Sequence, residues 1–424
     1  MFVVGLLPTG GFAVPALASD AAPDVSSVAA PGVVPVSEAS TLRPASPTLV
    51  PNTSVAFLPP FVPLAACAVG WPGWERFKHD FISADGRVID VGSADVRTVS
   101  EGQAYALFFA LVANDREAFD TILDWTENNL AQGDLTARLP AWLWGRAPNG
   151  NWEVLDANAA ADADLWMAYA LLEAGALWHA RSYTARGARL GRRMLDEEAA
   201  NLQGHGLTLL PGPTGFHPAP DTWRLNPSYT PLQLINGIAT RLADDPRWDR
   251  LAASTVRMLK QSALQGFAPD WTLYRAGYGF APDAQTHARG SYDAIRVYLW
   301  LGMLDSSNAN AKDLLHHFVP FADFIETRHG PPETVDTAAG KAGPNLGNAG
   351  FSAAVVPFLS TLGRVALASA QAARVETLNA QTPPGYYTSV LALFGLGWRD
   401  GRYRFMADGT LAPAWRISCP AAAH

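Results

Sequence analysis

The chain has 424 residues, of which 49% are hydrophobic, 17% are charged and 14 are Trp, and its formal net charge is −8. The absence of a dense basic run argues against nucleic acid as a partner, because that binding depends on Lys and Arg neutralising phosphates. The hydrophobic content excludes wholesale disorder, and beyond the first seventy residues no apolar stretch reaches the about 20 residues of a membrane-spanning helix.

Residues 1–66 differ in composition from the rest of the chain, because they are rich in Ala, Pro, Val and Ser. An apolar start at 2–7, followed by ALAS at 16–19, resembles the body and exit of a secretory signal, although the positively charged front is missing. Repeated prolines break any helix in the remainder. We therefore predict a signal-like segment and a disordered linker over 1–66, with a tail of no function as the alternative.

From Trp71 onward, apolar residues recur at helical spacing, which predicts about ten to twelve helices. After helices around 104–112 and 119–123, the predicted runs are 164–180, 183–201, 231–242, 248–263, 292–304, 311–326, 349–372 and 385–396. Strand-like alternation is confined to short pieces such as 87–91. The runs at 165–178 and 294–303 are apolar nearly all round, which is typical of buried helices.

Buried helices alternating with amphipathic ones indicate two concentric layers. The predicted fold is therefore all-α, a single (α/α)6 barrel of helical hairpins over residues 67–424. An α-solenoid is the alternative, but no repeat of 30–45 residues is visible.

The two cysteines, Cys67 and Cys419, bracket this predicted domain. Such a pair indicates one disulfide between the ends of the domain if the compartment is oxidising. Two alternatives stay open: two free thiols, or lipidation of Cys67, since the LAAC at 64–67 resembles a lipoprotein processing box.

Acidic residues precede the most apolar helices at three places: Glu101 in SEGQ, Asp162 and Asp164 in ADAD, and Asp293 in GSYD. Each could simply cap its helix, and Ser100 with Gln103 fits a capping box. If these helices form the inner ring, however, the acids converge at one mouth of the barrel. Crowded carboxylates raise the pKa of at least one of them, and carboxyls of divergent pKa are what hydrolysis of a glycosidic bond requires.

Several aromatic residues lie outside the predicted helix interiors, where they could stack on the apolar faces of sugar rings. They are Trp142 and Trp144 in LPAWLWG, Trp223 in a predicted loop, and Tyr229, Tyr292 and Tyr387 near helix starts. Packing is the alternative for each tryptophan. The nine His residues are scattered, so no metal site and no cofactor are predicted.

The segment AADADLWMAYALLEA at 160–174, ending at Trp178, resembles the signature of glycoside hydrolase family 8, with Ala161 where the family usually has Ser or Thr. SEGQ at 100–103, NPSY at 226–229 and SYDAIR at 291–296 also match the family. The span 71–419 is similar to the periplasmic endoglucanases of bacterial cellulose synthase operons, a subgroup of this family.

The resemblance implies an (α/α)6 barrel and an inverting endo-β-1,4-glucanase. Glu101 would be the general acid and Asp293 the general base. Asp162, with Tyr229 and the neighbouring Asn226, would hold the sugar at the cleavage point. Arg296 would keep the base ionised and oriented.

The same subgroup implies a periplasmic or secreted monomer that acts on cellulose chains during their synthesis and could associate with a cellulose synthase complex. Chitosan or mixed-linkage glucan is the nearest alternative substrate. A non-catalytic glucan-binding component of a synthase, or a toroid that only scaffolds, is the alternative of a different class. The full set of acids argues against both the glucan-binding component and the scaffold.

Overall fold

The computed structural model describes residues 70–283 and 285–416, all within one compact unit. The segment predicted at 1–66, and Cys67 and Cys419, lie outside the described residues. The described α-helices are α1 (Pro72–Phe81), α2 (Ser100–Val112), α3 (Arg116–Leu130), α4 (Ala161–Leu177), α5 (Arg181–Glu197), α6 (Leu232–Arg241), α7 (Arg247–Gln261), α8 (Ile295–Met303), α9 (Ala311–His317), α10 (Val319–Arg328), α11 (Ala349–Thr361), α12 (Val365–Gln381) and α13 (Tyr386–Arg399). None of them combines the length and apolar character that crossing a membrane requires.

The inner ring of the barrel consists of α2, α4, α6, α8, α11 and α13, and the remaining helices return the chain along the outside. Every residue of α8 is buried, as is every residue of α2 except Glu101. By contrast, α5 buries a single stripe that includes Leu190 and Met194, as expected for a helix with one face in solvent. The predicted (α/α)6 barrel with two concentric layers is confirmed.

The inner helices approach one another closely because glycines lie at two of their contacts. A Cβ atom on Gly302 of α8 would collide with the backbone of Phe358 in α11, and one on Gly395 of α13 would collide with the carbonyl of Ala353. Between α13 and α2, two phenylalanine rings, Phe394 and Phe109, close the ring with centroids 4.6 Å apart.

Several predicted helix boundaries were wrong. The run at 311–326 is two helices, since α9 ends at His317 and α10 restarts with Pro320 in its first turn, where proline is tolerated. The run at 349–372 also divides, because Gly363 has a φ of +77° between α11 and α12. The helix predicted from Tyr292 begins at Ile295, and α5 ends at Glu197 before a strand begins.

Short antiparallel strands, which the sequence analysis missed, connect the helices. They are β1 (Thr98–Val99), β2 (Leu143–Arg146), β3 (Trp152–Asp156), β4 (Ala199–Leu202), β5 (Gly206–Leu209), β6 (Thr222–Leu225), β7 (Thr272–Arg275), β8 (Gly279–Pro282), β9 (Arg289–Gly290), β10 (Val335–Asp336), β11 (Lys341–Ala342), β12 (Tyr403–Phe405) and β13 (Leu411–Pro413). The alternation at 87–91 gives only a single bridge between Val88 and Ile82. Trp144 and Trp223, expected on loops, lie on β2 and β6.

Strands β1, β2 and β3 form one sheet, with Val99 opposite Leu143, and β6, β7 and β8 form another. The hairpin of β12 and β13 lies at the opposite end of the barrel from the starts of the inner helices. There Tyr403 and Phe405 pack on Phe108 of α2, and the hydroxyl of Tyr169 donates to the carbonyl of Gly409 at 2.7 Å.

Candidate active site

The three acids meet at one mouth of the barrel. Glu101 and Asp162 lie in the first turns of α2 and α4, and Asp293 lies two residues before α8. Their side chains are 20%, 3% and 33% exposed, respectively. They converge because each inner helix is followed by an outer helix that returns the chain, so the inner helices begin at the same end.

One guanidinium joins all three carboxylates. The Nη1 of Arg296 donates to Glu101 Oε2 and, at 3.3 Å, to Asp162 Oδ2, while Nη2 donates to Asp293 Oδ1 at 2.8 Å. Arg296 is itself 3% exposed, and buried charges are stable only when paired and hydrogen-bonded. The sequence analysis paired Arg296 with Asp293 alone, and the structure adds the other two acids.

The crowding changes how the carboxyls titrate. Burial raises the pKa of Asp162 to about 8, with the charge of Glu101 adding to the rise and Arg296 opposing it. Burial also raises the pKa of Asp293, again against Arg296, and the charges of Asp270 and Glu101 add to it. The expectation that at least one carboxyl has a raised pKa is thus met at two positions. Such a site can hold a proton on one carboxyl beside an ionised neighbour.

The structure does not contain the capping box that was the alternative reading of Ser100 and Gln103. The hydroxyl of Ser100 has no hydrogen-bond partner among the described residues. The amide of Gln103 instead accepts from the backbone of Val88 at 2.6 Å and donates to Thr126 of α3 at 2.8 Å. The residues before α2 and α4, Val99 and Ala160, make no side-chain cap, whereas Asp162 accepts from the first-turn N–H of Ala163 at 2.9 Å.

A short 3-10 helix, Pro227–Tyr229, supports the arginine. The Oγ of Ser228 accepts from Arg296 Nη2 at 3.0 Å and donates to Asn226 Oδ1 at 2.8 Å. Asn226 therefore acts on the site through Ser228, a contact that the sequence analysis missed although both residues belong to its NPSY motif. The ring of Tyr229 lies 5.6 Å from the guanidinium.

Tyr292 presents an aromatic ring at the mouth and is 45% exposed. Its ring meets Phe351 edge-on at 5.0 Å, its backbone carbonyl accepts from the hydroxyl of Tyr387 at 2.7 Å, and its own hydroxyl approaches Glu333 at 3.4 Å. An exposed ring held from several sides is suited to stacking on a sugar. Glu333 was not among the predicted site residues.

The two tryptophans of the LPAWLWG segment have different surroundings. The carbonyl of Trp142 accepts from the backbone of Ser100 at 3.0 Å, which places Trp142 next to the start of α2 and Glu101. The ring of Trp144 already stacks on Trp152 and meets Trp125 edge-on, both at 5.3 Å. Sugar binding by Trp142 stays a prediction, whereas the ring contacts of Trp144 match the packing alternative.

Trp223 also has aromatic partners, since its ring stacks on His217 at 4.8 Å. A tryptophan that the sequence analysis did not propose lies nearer the acids: Trp271 contacts the ring of Tyr229 at 5.9 Å. The guanidinium of Arg224 covers Trp271 at 3.9 Å. Among the described residues, no group of three or more His, Cys, Asp or Glu side chains has the arrangement of a metal site.

Comparison with known proteins shows the family of the chain. Residues 54–401 match the Glycosyl hydrolases family 8. An endoglucanase of Escherichia coli K12 is 48% identical over 355 residues, which are 84% of this chain and 94% of the relative. An endoglucanase of Xanthomonas axonopodis pv. citri is 48% identical over 373 residues, covering 87% and 96%. The crystal structure of the endo-1,4-D-glucanase from Vibrio fischeri ES114 superposes with a TM-score of 0.78 at 44% identity, covering 81% of this chain and 99% of that one. The chain therefore belongs to glycosyl hydrolase family 8 and is a glycoside hydrolase.

Proposed function

We propose that the chain is an inverting endo-β-1,4-glucanase that cleaves cellulose or a related β-glucan within the chain. The observation that carries the proposal is the single guanidinium of Arg296 joining three carboxylates at an open, aromatic-lined mouth. Relatives that match this chain over most of their length are named endoglucanases, which supports a β-glucan as the substrate.

In the proposed reaction, Glu101 gives its proton to the leaving glycosidic oxygen. A water on the opposite face of the sugar attacks the anomeric carbon and gives its proton to Asp293. The 33% exposure of the Asp293 side chain leaves room for that water, and its raised pKa makes it a stronger base. Asp162 and Tyr229 hold the sugar at the cleavage point. We expect the carboxyls of Glu101 and Asp293 to lie about 6.5–9.5 Å apart, as inversion requires.

We further propose a periplasmic or secreted location, action on cellulose during its synthesis, and a monomeric enzyme that could meet a cellulose synthase complex. These proposals rest on the resemblance of the motifs described above to one subgroup of the family. The neutral glucan is compatible with a net charge of −8, because an uncharged polymer needs no basic surface.

The anomeric configuration of the first product tests the mechanism. Proton NMR during the first minutes of cello-oligosaccharide hydrolysis should show the α-anomer appearing before mutarotation mixes the two forms. A β-anomer would contradict inversion. No new reducing ends from any β-glucan would instead favour the glucan-binding alternative.

A further inference from the structure

The carboxylate of Asp270 accepts hydrogen bonds from the backbone segment that contains the proposed base, Asp293. Its Oδ1 accepts from the backbone N–H groups of Ser291 at 2.7 Å, Asp293 at 3.2 Å and Ala294 at 2.9 Å. Asp270 is 3% exposed, so these bonds are shielded from water. Three donors on one oxygen fix the turn in which Asp293 lies.

Asp270 provides a hydrogen-bond acceptor for the start of α8, where no neighbouring residue provides a side-chain cap. The helix begins at Ile295, and no side chain near its start caps it, although the first N–H groups of a helix have no partner within the helix. Asp270 lies more than twenty positions earlier in the chain and takes the place of the usual local cap. The shape of the turn therefore depends on where Asp270 is held.

The segment around Asp270 is braced on both sides. Its backbone N–H donates to the carbonyl of Arg289 at 2.8 Å, and its Oδ2 accepts from Arg289 Nε at 3.2 Å. Gly290 allows this close approach, because a Cβ atom there would collide with the carbonyl of Ala268. The hydroxyl of Tyr298, one turn into α8, accepts from the N–H of Ala268 at 2.9 Å. A closed loop of contacts thus runs from α8 through Asp270 back to the residues that precede α8.

The charge of Asp270 also acts on Asp293. Since Asp270 is a second carboxylate beside Asp293, it adds to the rise in the pKa of Asp293 that burial causes. The other titratable or charged groups that influence Asp293 or lie close to it are Arg296, Glu101, Asp162, Tyr229, Tyr387 and Glu333. The side chain of Asp270 acts on Asp293 in a second way, because it also accepts from the backbone N–H of Asp293.

We propose that Asp270 is a positioning residue for the base, one that sets the direction of the Asp293 carboxylate through three backbone bonds and places a second negative charge beside it. This inference rests on the proposed role of Asp293 in the inverting reaction. It assigns Asp270 no contact with substrate.

Two substitutions separate the bonds from the charge. Asp270→Ala removes both, so the turn loosens and kcat should fall about 100-fold, the scale of a misplacement of about 1 Å, with KM little changed. Asp270→Asn keeps an oxygen that can accept from the three N–H groups but removes the charge. Its kcat near neutral pH should recover most of the loss, and the acid limb of its kcat/KM profile should move to lower pH, because the pKa of Asp293 falls when a neighbouring negative charge is removed.

Asp115→Asn is the matched control, because Asp115 caps α3 of the outer ring by accepting from Ala118 N at 3.1 Å. It should lower the thermal stability and leave the pH profile in place, as a purely structural cap would. An Asp270→Ala enzyme with wild-type kcat, or an Asp270→Asn enzyme whose acid limb does not move, overturns the inference. If Asp270→Ala does not fold by circular dichroism, the profile of Asp270→Asn decides alone.

Asp293→Asn separates failure of this inference from failure of the proposed function. Wild-type turnover in Asp293→Asn would remove the proposed base. An inactive Asp293→Asn together with unaffected Asp270 variants would leave the proposed function standing and reject only the positioning role.

Discussion

Helix α4 carries a buried carboxylate near each end, in two different environments. Near its C-terminal end, Glu173 is fully buried and accepts from both Arg241 Nε at 2.8 Å and Nη2 at 2.9 Å, and from the backbone of Leu411 at 3.0 Å. At the mouth, Asp162 accepts from the backbone N–H of Ala163 at 2.9 Å and from Arg296 at 3.3 Å, but this arginine also serves two other acids.

The difference separates a structural charge from a reactive one. Each carboxylate has a backbone donor, but Glu173 also has a cation of its own that makes two hydrogen bonds to it, which is the arrangement in which a buried ion pair is stable. The mouth holds three acids to one arginine, so at least one proton is retained there at the pH where the others ionise. Incomplete compensation is costly for folding but is needed by a site that transfers protons.

Replacing an acid at the mouth should have the largest effect. Glu101→Gln removes the proposed proton donor, so we expect hydrolysis of carboxymethylcellulose to fall by about 10²–10⁴-fold. The thermal unfolding midpoint should stay near that of the wild type, because Gln can still accept from Arg296. Reducing-end assays on the purified variant measure the loss, and turnover like that of the wild type would remove Glu101 from its role.

The same chemical change at Glu173, near the end of α4 far from the mouth, should affect stability rather than activity. Glu173→Gln leaves Arg241 without its counter-charge, and we expect a loss of about 3 kcal/mol in the free energy of unfolding, the low end for a broken buried pair, because Arg241 is 30% exposed. At guanidinium concentrations too low to unfold the variant, its kcat should equal that of the wild type. Guanidinium unfolding and steady-state kinetics on the same preparation test this, and a specific loss of kcat in folded protein would break the comparison.

A smaller effect, on the pH dependence of stability, is expected from replacing one of a second pair of acids that lie behind the mouth. Asp164 and Glu198 are fully buried, and among the described residues no Lys or Arg forms an ion pair with either. Burial raises the pKa of Asp164 and of Glu198 well above their usual values, and the charge of Asp162 raises the former further. The folded state therefore binds more protons than the unfolded state above the usual pKa of Asp, and stability falls as pH rises toward the raised values.

Asp164→Asn should reduce the loss of unfolding free energy with rising pH by up to about 1.4 kcal/mol per pH unit. Unfolding free energies measured from pH 5 upward provide the test. Asp115→Asn is the control of opposite sign: the pKa of Asp115 is lowered by its bonds to Lys78 and Trp74 despite desolvation, so it contributes stability that is lost as pH falls. An unchanged slope in Asp164→Asn would show that Asp164 is already ionised in the folded state.

The parts of the fold that could be predicted from sequence are those set by local pattern. The inner helices were recognisable because no polar face interrupts 165–178 or 294–303. The acids were recognisable because they precede those helices. Both features depend only on neighbours in the chain.

The parts that could not be predicted depend on distant partners. The strands are two to five residues long and show little alternation, so their pairing, such as Val99 with Leu143, exists only in the folded barrel. Asp270 could not be recognised from the sequence, since its partners at 291–294 become neighbours only in three dimensions. Gln103 looked like a local cap for the same reason, because its true partners are Val88 and Thr126.

The hairpin of β12 and β13 has a consequence for how the protein folds. Tyr169 and Glu173 bond to Gly409 and Leu411, residues 240 and 238 positions later in the chain. On a ribosome, α4 emerges long before the residues that satisfy its C-terminal half, and a fold with so many distant contacts forms slowly. We therefore expect the nascent chain to keep an open, aggregation-prone barrel until β13 has been synthesised, so that a stop codon before Leu411 would leave the ring of helices without this strand.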